Sequence, residues 1–109
     1  MEWLTKLEEL VLIAVLRLGK DAYGISVYNF IVGLTGKRVS ISSVYFPLER
    51  LVRRGYLRAL RGESTPRRGG MGKRFYRLTP SGCRALLENR AVAETAWRGV
   101  KLSDKASEV

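Results

Sequence analysis

The amino-acid sequence predicts a mainly helical domain with a small antiparallel β-wing, an α+β fold. Three observations predict it. Four segments carry apolar residues at helical spacing and are bounded by capping residues. Two short alternating segments, 56–60 and 74–78, flank a glycine-rich stretch and form a natural hairpin. The chain has 109 residues, which is enough for one domain with a modest core.

The first helix is predicted to run from about Lys6 to Leu18. Thr5 and Glu8 have the spacing of a capping box. Gly19 follows the last apolar residue, where a glycine commonly ends a helix. Few of the intervening side chains are polar, so this helix should be buried on most sides.

The second helix is predicted from about Ala22 to Leu34, with Asp21 as its N-cap and Gly36 as its end. Val39-Ser40-Ile41 alternates in polarity, which predicts a short extended strand after this helix.

The third helix should begin at Ser42 or Ser43, as capping residues, and reach Arg54. One stripe of its helical wheel is apolar and should face the core: Val44, Leu48 and Leu51. The opposite side carries Ser43, Phe46, Arg50 and Arg53. Pro47 lies inside the helix, where it should remove a hydrogen bond and kink or loosen the first turn.

Strands are predicted at Tyr56–Leu60 and Arg74–Leu78. The stretch between them, Arg61–Lys73, holds four glycines and four basic residues and predicts a long hairpin tip. Thr79-Pro80 then starts a fourth helix that runs to about Trp97.

Positive charge is concentrated in one part of the chain. Residues 37–77 contain twelve basic residues and two acidic ones, whereas residues 1–36 carry a net charge of −1 and residues 78–109 a net charge of +1. Such a local positive field is typical of proteins that bind nucleic acid.

The composition disfavours several other classes of protein. Histidine is absent and Cys83 is the single cysteine, so the usual general base and metal ligands are missing. We therefore expect neither an enzyme nor a cofactor or metal site. No apolar run approaches the roughly 20 residues of a membrane span. The lone cysteine, expected to be buried, indicates a reducing, cytoplasmic location.

The order of elements is helix, helix, short strand, helix, strand, basic loop, strand, helix. This is the layout of a winged helix-turn-helix. In such a fold the third helix, here called the recognition helix, can enter the major groove of DNA, and the hairpin tip can reach the flanking backbone or minor groove.

The sequence also resembles a known family, the PadR-like transcriptional regulators, over about residues 4–99. Ala22-Tyr23-Gly24-Ile25 resembles the start of the family's second helix. Ser42-Ser43-Val44-Tyr45, Leu48-Glu49-Arg50-Leu51 and Gly55-Tyr56-Leu57 resemble its recognition helix and the following strand. Residues 72–82 resemble the exit of its wing and the start of its last helix. The single C-terminal helix is similar to the short form of the family.

The resemblance implies a homodimeric, sequence-specific DNA-binding regulator, which we expect to be a repressor. The expected organisation is a DNA-binding domain over residues 1–78, a C-terminal dimerisation helix over 79–100 packed on that domain, and a flexible tail over 101–109. An effector would change the angle between the subunits, so that the recognition helices no longer match half-sites about one turn, roughly 34 Å, apart.

Eleven residues are candidate contacts to double-stranded DNA, because they lie at the start or on the outward face of the recognition helix, or in the basic flanks and wing. They are Lys37, Arg38, Ser42, Ser43, Tyr45, Phe46, Arg50, Arg53, Arg67, Arg68 and Lys73. The serines could instead only cap the helix, and the arginines could be ordinary solvated surface charge.

The last helix has an apolar stripe longer than its own domain needs. The candidate dimer interface is Trp3, Leu4, Leu86, Leu87, Ala93 and Trp97, and the same residues could instead pack within one chain. Some PadR-like proteins stack a flat aromatic compound on a tryptophan between paired C-terminal helices. The resemblance makes Trp97 the candidate residue for a small aromatic effector.

Two alternatives remain open at this stage. The first is a nucleic-acid-binding architectural module without sequence preference. The second is a winged-helix protein-interaction domain whose basic face meets an acidic partner.

Overall fold

The computed structural model describes residues 3–62 and 73–103. Within these ranges the fold is four α-helices and one β-hairpin. The elements are α1 (Lys6–Leu18), a 3₁₀ turn (Gly19–Asp21), α2 (Gly24–Thr35), α3 (Ser42–Arg53), β1 (Leu57–Arg61), β2 (Arg74–Leu78) and α4 (Pro80–Trp97). The predicted fold class, mainly α with a small antiparallel wing, is confirmed.

Helix α1 has the predicted bounds because its capping box forms. Thr5 Oγ1 accepts a hydrogen bond from the Glu8 N–H at 3.1 Å, and the Thr5 N–H donates to Glu8 Oε1 at 2.8 Å. At the other end Gly19 has a φ of 57°, a left-handed angle that a glycine adopts without steric cost.

The core lies between α1, α2, α3 and the base of the hairpin. Its buried side chains come from each of these elements and from Ala22, which precedes α2: Val11, Leu12, Ala14, Val15, Ala22, Val27, Ile31, Val44, Leu48, Leu51, Leu57 and Tyr76. The predicted apolar stripe of α3 is therefore confirmed as its core-facing side.

Helix α2 begins later than predicted, and Asp21 does not cap it. The capping side chain is Ser26, whose Oγ accepts from the Tyr23 N–H at 2.9 Å and donates to the Asp21 carbonyl at 2.6 Å. Residues 22 and 23 are extended rather than helical because their backbone is used by the sheet: the Tyr76 N–H donates to the Ala22 carbonyl at 2.9 Å.

The sheet has two strands among the described residues, paired antiparallel from Leu57 opposite Leu78 to Arg61 opposite Arg74. The predicted strand at residues 39–41 is wrong. The free edge of β2 is occupied by residues 22 and 23, with Tyr23 pairing opposite Phe75. The Val39 carbonyl instead accepts a hydrogen bond from the Tyr28 hydroxyl at 2.6 Å.

Helix α4 begins at Pro80, as predicted, and Thr79 joins it to the rest of the domain. Thr79 Oγ1 accepts from the Gly82 N–H at 3.0 Å and donates to the Gly55 carbonyl, just past α3, at 2.6 Å. Gly82 lies so close to the Tyr56 carbonyl that a Cβ would clash with it. Every residue from 90 to 97 is exposed, so only the first half of α4 packs on the domain.

In the described part of the chain, none of the helices is long and apolar enough to cross a membrane.

Candidate nucleic-acid interface

The outer side of α3 is an exposed surface of aromatic and basic side chains. Phe46 is 69% exposed although it is a large apolar residue, and Tyr45 and Arg53 are also exposed. Pro47 is buried, and α3 continues through it without a break. Because the opposite stripe is fully buried in the core, the helix presents this outer face in one orientation.

Three serine hydroxyls cluster at the start of α3. Ser40 Oγ lies 2.7 Å from Ser43 Oγ and 3.1 Å from Ser42 Oγ, and it accepts from the Ser43 N–H at 3.2 Å. The prediction that Ser42 or Ser43 caps the helix is therefore wrong, since Ser40 makes this contact. Ser42 and Ser43 instead lie in the first turn, where hydroxyls can meet a phosphate or a base edge.

Tyr45 extends from α3 towards the start of α2. A Cβ added to Gly24 would clash with the Tyr45 ring and hydroxyl, so the absence of a side chain at Gly24 makes room for the tyrosine. Gly24 therefore allows a close approach between the two helices that lie nearest the candidate DNA face.

Arg50 turns away from the outer face that the helical wheel predicted for it. Its Nε donates to Glu8 Oε2 at 3.0 Å, and Arg54 Nη1 donates to the same oxygen at 3.3 Å. The wheel places the Cβ of Arg50 outward, but the side chain is long enough to reach back to α1. Its contact with DNA stays a prediction, and Arg50 has this second role in the fold.

Glu8 is 2% exposed and joins α1 to α3. Burial alone would raise the pKa of its carboxyl. The Thr5 N–H and the guanidinium groups of Arg50 and Arg54 oppose burial and lower the Glu8 pKa below its ordinary value. Glu8 is therefore a buried, charged residue that holds the recognition helix against α1.

A second carboxylate, Glu49, joins α3 to the wing. Arg74 donates to it twice, from Nε to Oε2 at 3.0 Å and from Nη2 to Oε1 at 2.8 Å. The Tyr76 hydroxyl donates to Glu49 Oε2 at 2.6 Å. Burial and the bond to Glu49 raise the pKa of Tyr76 to about 12, and the bond to Tyr76 and the pair with Glu49 raise that of Arg74.

Sequence reasoning missed Glu8, Glu49, Arg74 and Tyr76. One signal was present for two of them: Arg74 and Tyr76 alternate along a strand and so point to the same side of the hairpin. No sequence spacing relates Glu49 to Arg74, or Glu8 to Arg50, because each pair joins elements that meet only in the folded chain.

The base of the wing places Lys73 beside two aromatic rings. Lys73 Nζ lies 3.8 Å from the centre of the Tyr23 ring, and the Tyr23 and Phe75 ring centres are 5.6 Å apart. Arg67 and Arg68, the predicted contacts of the wing tip, lie outside the described residues. Lys37 and Arg38 are exposed in the segment between α2 and α3.

The predicted dimer residues divide into two groups. Leu4 and Leu86 are half-buried and pack against the core of their own chain. Trp3, Leu87 and Trp97 are 63%, 60% and 57% exposed. Ala93, on the projecting half of α4, is also exposed. Single exposed apolar residues are common on proteins, but three large ones on one element and its neighbourhood favour a contact surface.

Cys83 is exposed, so the prediction that it packs as a buried residue is wrong. Its neighbour Gly82 occupies the position of α4 that lies against the Tyr56 carbonyl, which turns Cys83 to the outer side of the helix.

A cavity of about 330 Å³ lies between the N-terminal segment and α4. Its walls include Trp3, Tyr56, Arg84 and Asn89. Trp97, the predicted effector residue, is not part of this cavity, because it lies further along the projecting half of α4.

The helix-turn-helix formed by α2 and α3, the hairpin and the flanking helices define a winged-helix fold. Solved structures of PadR family transcriptional regulators share it. The regulator from Eggerthella lenta DSM 2243 has a TM-score of 0.63 and 24% identity, over 83% of this chain and 76% of that one. The regulator from Clostridium difficile R20291 has a TM-score of 0.61 and 19% identity, over 86% and 88%.

A third solved structure is similar over most of this chain. BpsR of Bordetella bronchiseptica, whose DNA binding is regulated by 6-hydroxynicotinic acid, has a TM-score of 0.61 and 19% identity, over 96% of this chain and 74% of that one. At these identities the likeness concerns the fold. No protein-family model matches the sequence, and neither does a curated protein.

Proposed function

We propose that this protein is a homodimeric, sequence-specific DNA-binding transcriptional regulator that acts as a repressor. The recognition helix α3 enters the major groove and the basic wing lies on the flanking backbone or minor groove. The observation that carries the proposal is the outer face of α3, where exposed Phe46, Tyr45 and Arg53 lie opposite a fully buried stripe. This is the geometry in which a helix-turn-helix reads base edges.

The charge distribution supports DNA as the partner. The surplus of positive charge lies within residues 37–77, which include α3, β1 and all of β2 except its last residue. Among the described residues, two carboxylates that face this region, Glu8 and Glu49, are paired with arginines. The predicted contacts Lys37, Arg38, Ser42, Ser43, Arg50, Arg67, Arg68 and Lys73 belong to the same proposal.

We further propose that residues 79–100 form the dimer contact. Helix α4 exposes Leu87, and its projecting half exposes Ala93 and Trp97, where nothing in its own chain covers them among the described residues. Two copies joined there would present two recognition helices to the two half-sites of an operator. The regulation of BpsR by an aromatic acid supports a small aromatic effector, with Trp97 as the candidate stacking residue.

The test is binding of the purified protein to the duplex upstream of its own gene and to a scrambled duplex of equal length. Salt should be varied from about 50 to 200 mM, because phosphate contacts weaken steeply over that range. We expect tight, salt-sensitive binding that prefers the upstream duplex. Equal affinity for both duplexes would indicate an architectural module, and binding to neither would indicate a protein partner.

A further inference from the structure

Glu49 is an acidic residue on the recognition helix, in the most basic part of the chain. A carboxylate on a DNA-binding face repels the phosphate backbone unless it has another role. Glu49 is one of two acidic residues among residues 37–77, and its side chain is 41% exposed. Its presence on α3 therefore needs a physical explanation.

The contacts of Glu49 supply one. Arg74 meets the carboxylate through two parallel N–H bonds, at 3.0 and 2.8 Å, a bidentate geometry that fixes the plane of the guanidinium group. The Tyr76 hydroxyl holds the carboxylate from the same strand at 2.6 Å. An arginine that meets one carboxylate in this way keeps further N–H donors, and half of the Arg74 side chain is exposed to solvent.

The fixed guanidinium borders a cavity between the recognition helix and the wing. This cavity, of about 350 Å³, is lined by Tyr23, Gly24, Ile25, Tyr45, Glu49, Lys73, Arg74 and Tyr76. Two of these side chains are cationic, and Lys73 is held over the Tyr23 ring. The cavity lies between α3, which the proposed function places in the major groove, and the wing, which it places on the flanking backbone or minor groove.

We propose that Glu49 is a positioning residue for DNA binding, which holds Arg74 so that its remaining N–H groups bind a backbone phosphate at this cavity. Lys73 is the second cation of the phosphate site. The inference rests on the proposed function and adds to it a contact, Arg74, and the residue that orients it.

The direction in which one substitution changes the affinity for DNA distinguishes a positioning role from a simple effect of charge. Glu49→Gln removes a negative charge, so electrostatics alone predicts tighter binding to DNA. Loss of the carboxylate also frees the Arg74 guanidinium to leave its bound geometry, so a positioning role predicts weaker binding. We expect affinity to fall roughly two- to fivefold, the range that corresponds to the free energy of an exposed ion pair.

The experiment measures the affinity of wild type, Glu49→Gln, Arg74→Gln and the double variant for the upstream duplex and for a mixed-sequence duplex across salt concentrations. Arg74→Gln should reduce the slope of log affinity against log salt by about 0.9 for each phosphate that the protein no longer neutralises. In the Arg74→Gln background, Glu49→Gln should no longer weaken binding, because the residue through which Glu49 acts is gone.

Matched controls come from the Lys6–Glu9 pair, an ion pair on α1. Lys6→Gln and Glu9→Gln make the same charge changes away from the recognition helix and from the proposed dimer contact, and should leave the salt slope nearly unchanged. Thermal unfolding of each variant checks that the fold is retained. Arg74→Lys, which keeps the charge but not the bidentate geometry, should fall between wild type and Arg74→Gln.

Three results would overturn the inference. Tighter binding by Glu49→Gln, while wild type binds as proposed, would refute positioning and leave the proposed function intact. Equal weakening by Glu49→Gln with and without Arg74 would show that Glu49 acts through the fold instead. No binding of wild type to either duplex would refute the proposed function, and the positioning role with it.

Discussion

Arg50 Nε lies 3.0 Å from Oε2 of the buried Glu8, so an arginine of the recognition helix is bonded to the first helix of the domain. Arg54, the residue that follows α3, donates to the same carboxylate. Glu8 thus fixes the position of α3 from below, while the apolar stripe of α3 fixes its rotation. Thr5, by donating its N–H to Glu8, makes the start of α1 part of the same arrangement.

Glu8→Gln should destabilise the protein. The amide removes the negative charge that two guanidinium groups share and leaves these donors poorly paired, which costs about 1–3 kcal/mol. Chemical denaturation measures the free energy of unfolding. Glu94→Gln is the control, because its ion pair with Arg90 is exposed and should contribute less than about 1 kcal/mol. Equal stability of the two variants would contradict the anchoring role of Glu8.

The same carboxylate should make stability depend on pH in the acidic range. The Glu8 pKa is lowered in the folded protein from its ordinary value of 4.5. The stabilisation is therefore present above the ordinary pKa and is lost as the pH falls through the lowered one. Unfolding measured from neutral pH downwards should show this loss in wild type and a smaller loss in Glu8→Gln. Parallel curves of unfolding free energy against pH for the two proteins would show that Glu8 does not contribute to the pH dependence of stability.

Tyr76 should produce a loss of stability at alkaline pH. Its pKa is raised from 10.0 to about 12 in the folded protein. The protonated phenol is favoured by the fold, so the stabilisation is present below pH 10 and decreases as the pH rises towards 12. Tyr76→Phe should remove this component, since phenylalanine does not titrate. Lysine titration acts on both proteins, so the difference between their unfolding curves isolates the tyrosine.

Two glycine-to-alanine substitutions should affect different properties. In Gly24→Ala the new methyl group meets the Tyr45 ring, which can move, so stability should change by less than about 1 kcal/mol while DNA affinity falls. In Gly82→Ala the new methyl group meets the Tyr56 carbonyl, which cannot move freely, so about 1–3 kcal/mol of stability should be lost. Unfolding and DNA titration of both variants test this. A stability loss in Gly24→Ala as large as in Gly82→Ala would contradict it.

Trp97→Asp should dissociate the proposed dimer without unfolding the monomer. Trp97 is exposed within its own chain, so its replacement leaves the core intact, whereas a charge in an apolar interface is costly. Light scattering should show half the mass of wild type. Thr95→Asp is the control, because it adds the same charge about half a helical turn away, on the other side of α4. A monomeric wild type would refute the proposed interface.

The helix ends that the sequence predicted correctly are those decided by neighbouring residues. The Thr5 and Glu8 side chains cap α1, and Thr79 with Pro80 starts α4, through contacts within a few positions of each other. The strand at 74–78 was also predicted with its bounds, and the first strand begins one residue later than predicted, at Leu57. Apolar spacing predicted the core-facing side of α3.

The wrong predictions concern positions whose structure depends on residues that are distant in the sequence. Residues 39–41 alternate like a strand, but residues 22 and 23 occupy the edge of β2 that a third strand would use. Asp21 and Ser42 are good capping residues, yet Ser26 and Ser40 make the contacts because of the turns that precede each helix. The direction of Arg50 depends on Glu8, which lies 42 positions away.

Thr79 has a mechanical consequence for how such a dimer would respond to a signal. Its hydroxyl connects Gly55, two residues past α3, to the first turn of α4, and its N–H donates to the Tyr56 carbonyl at 3.1 Å. Because these hydrogen bonds join α4 to the end of α3, we expect a rotation of α4 to move α3 with it. In the proposed dimer, a small change in the crossing angle of the two α4 helices would therefore change the distance between the two recognition helices.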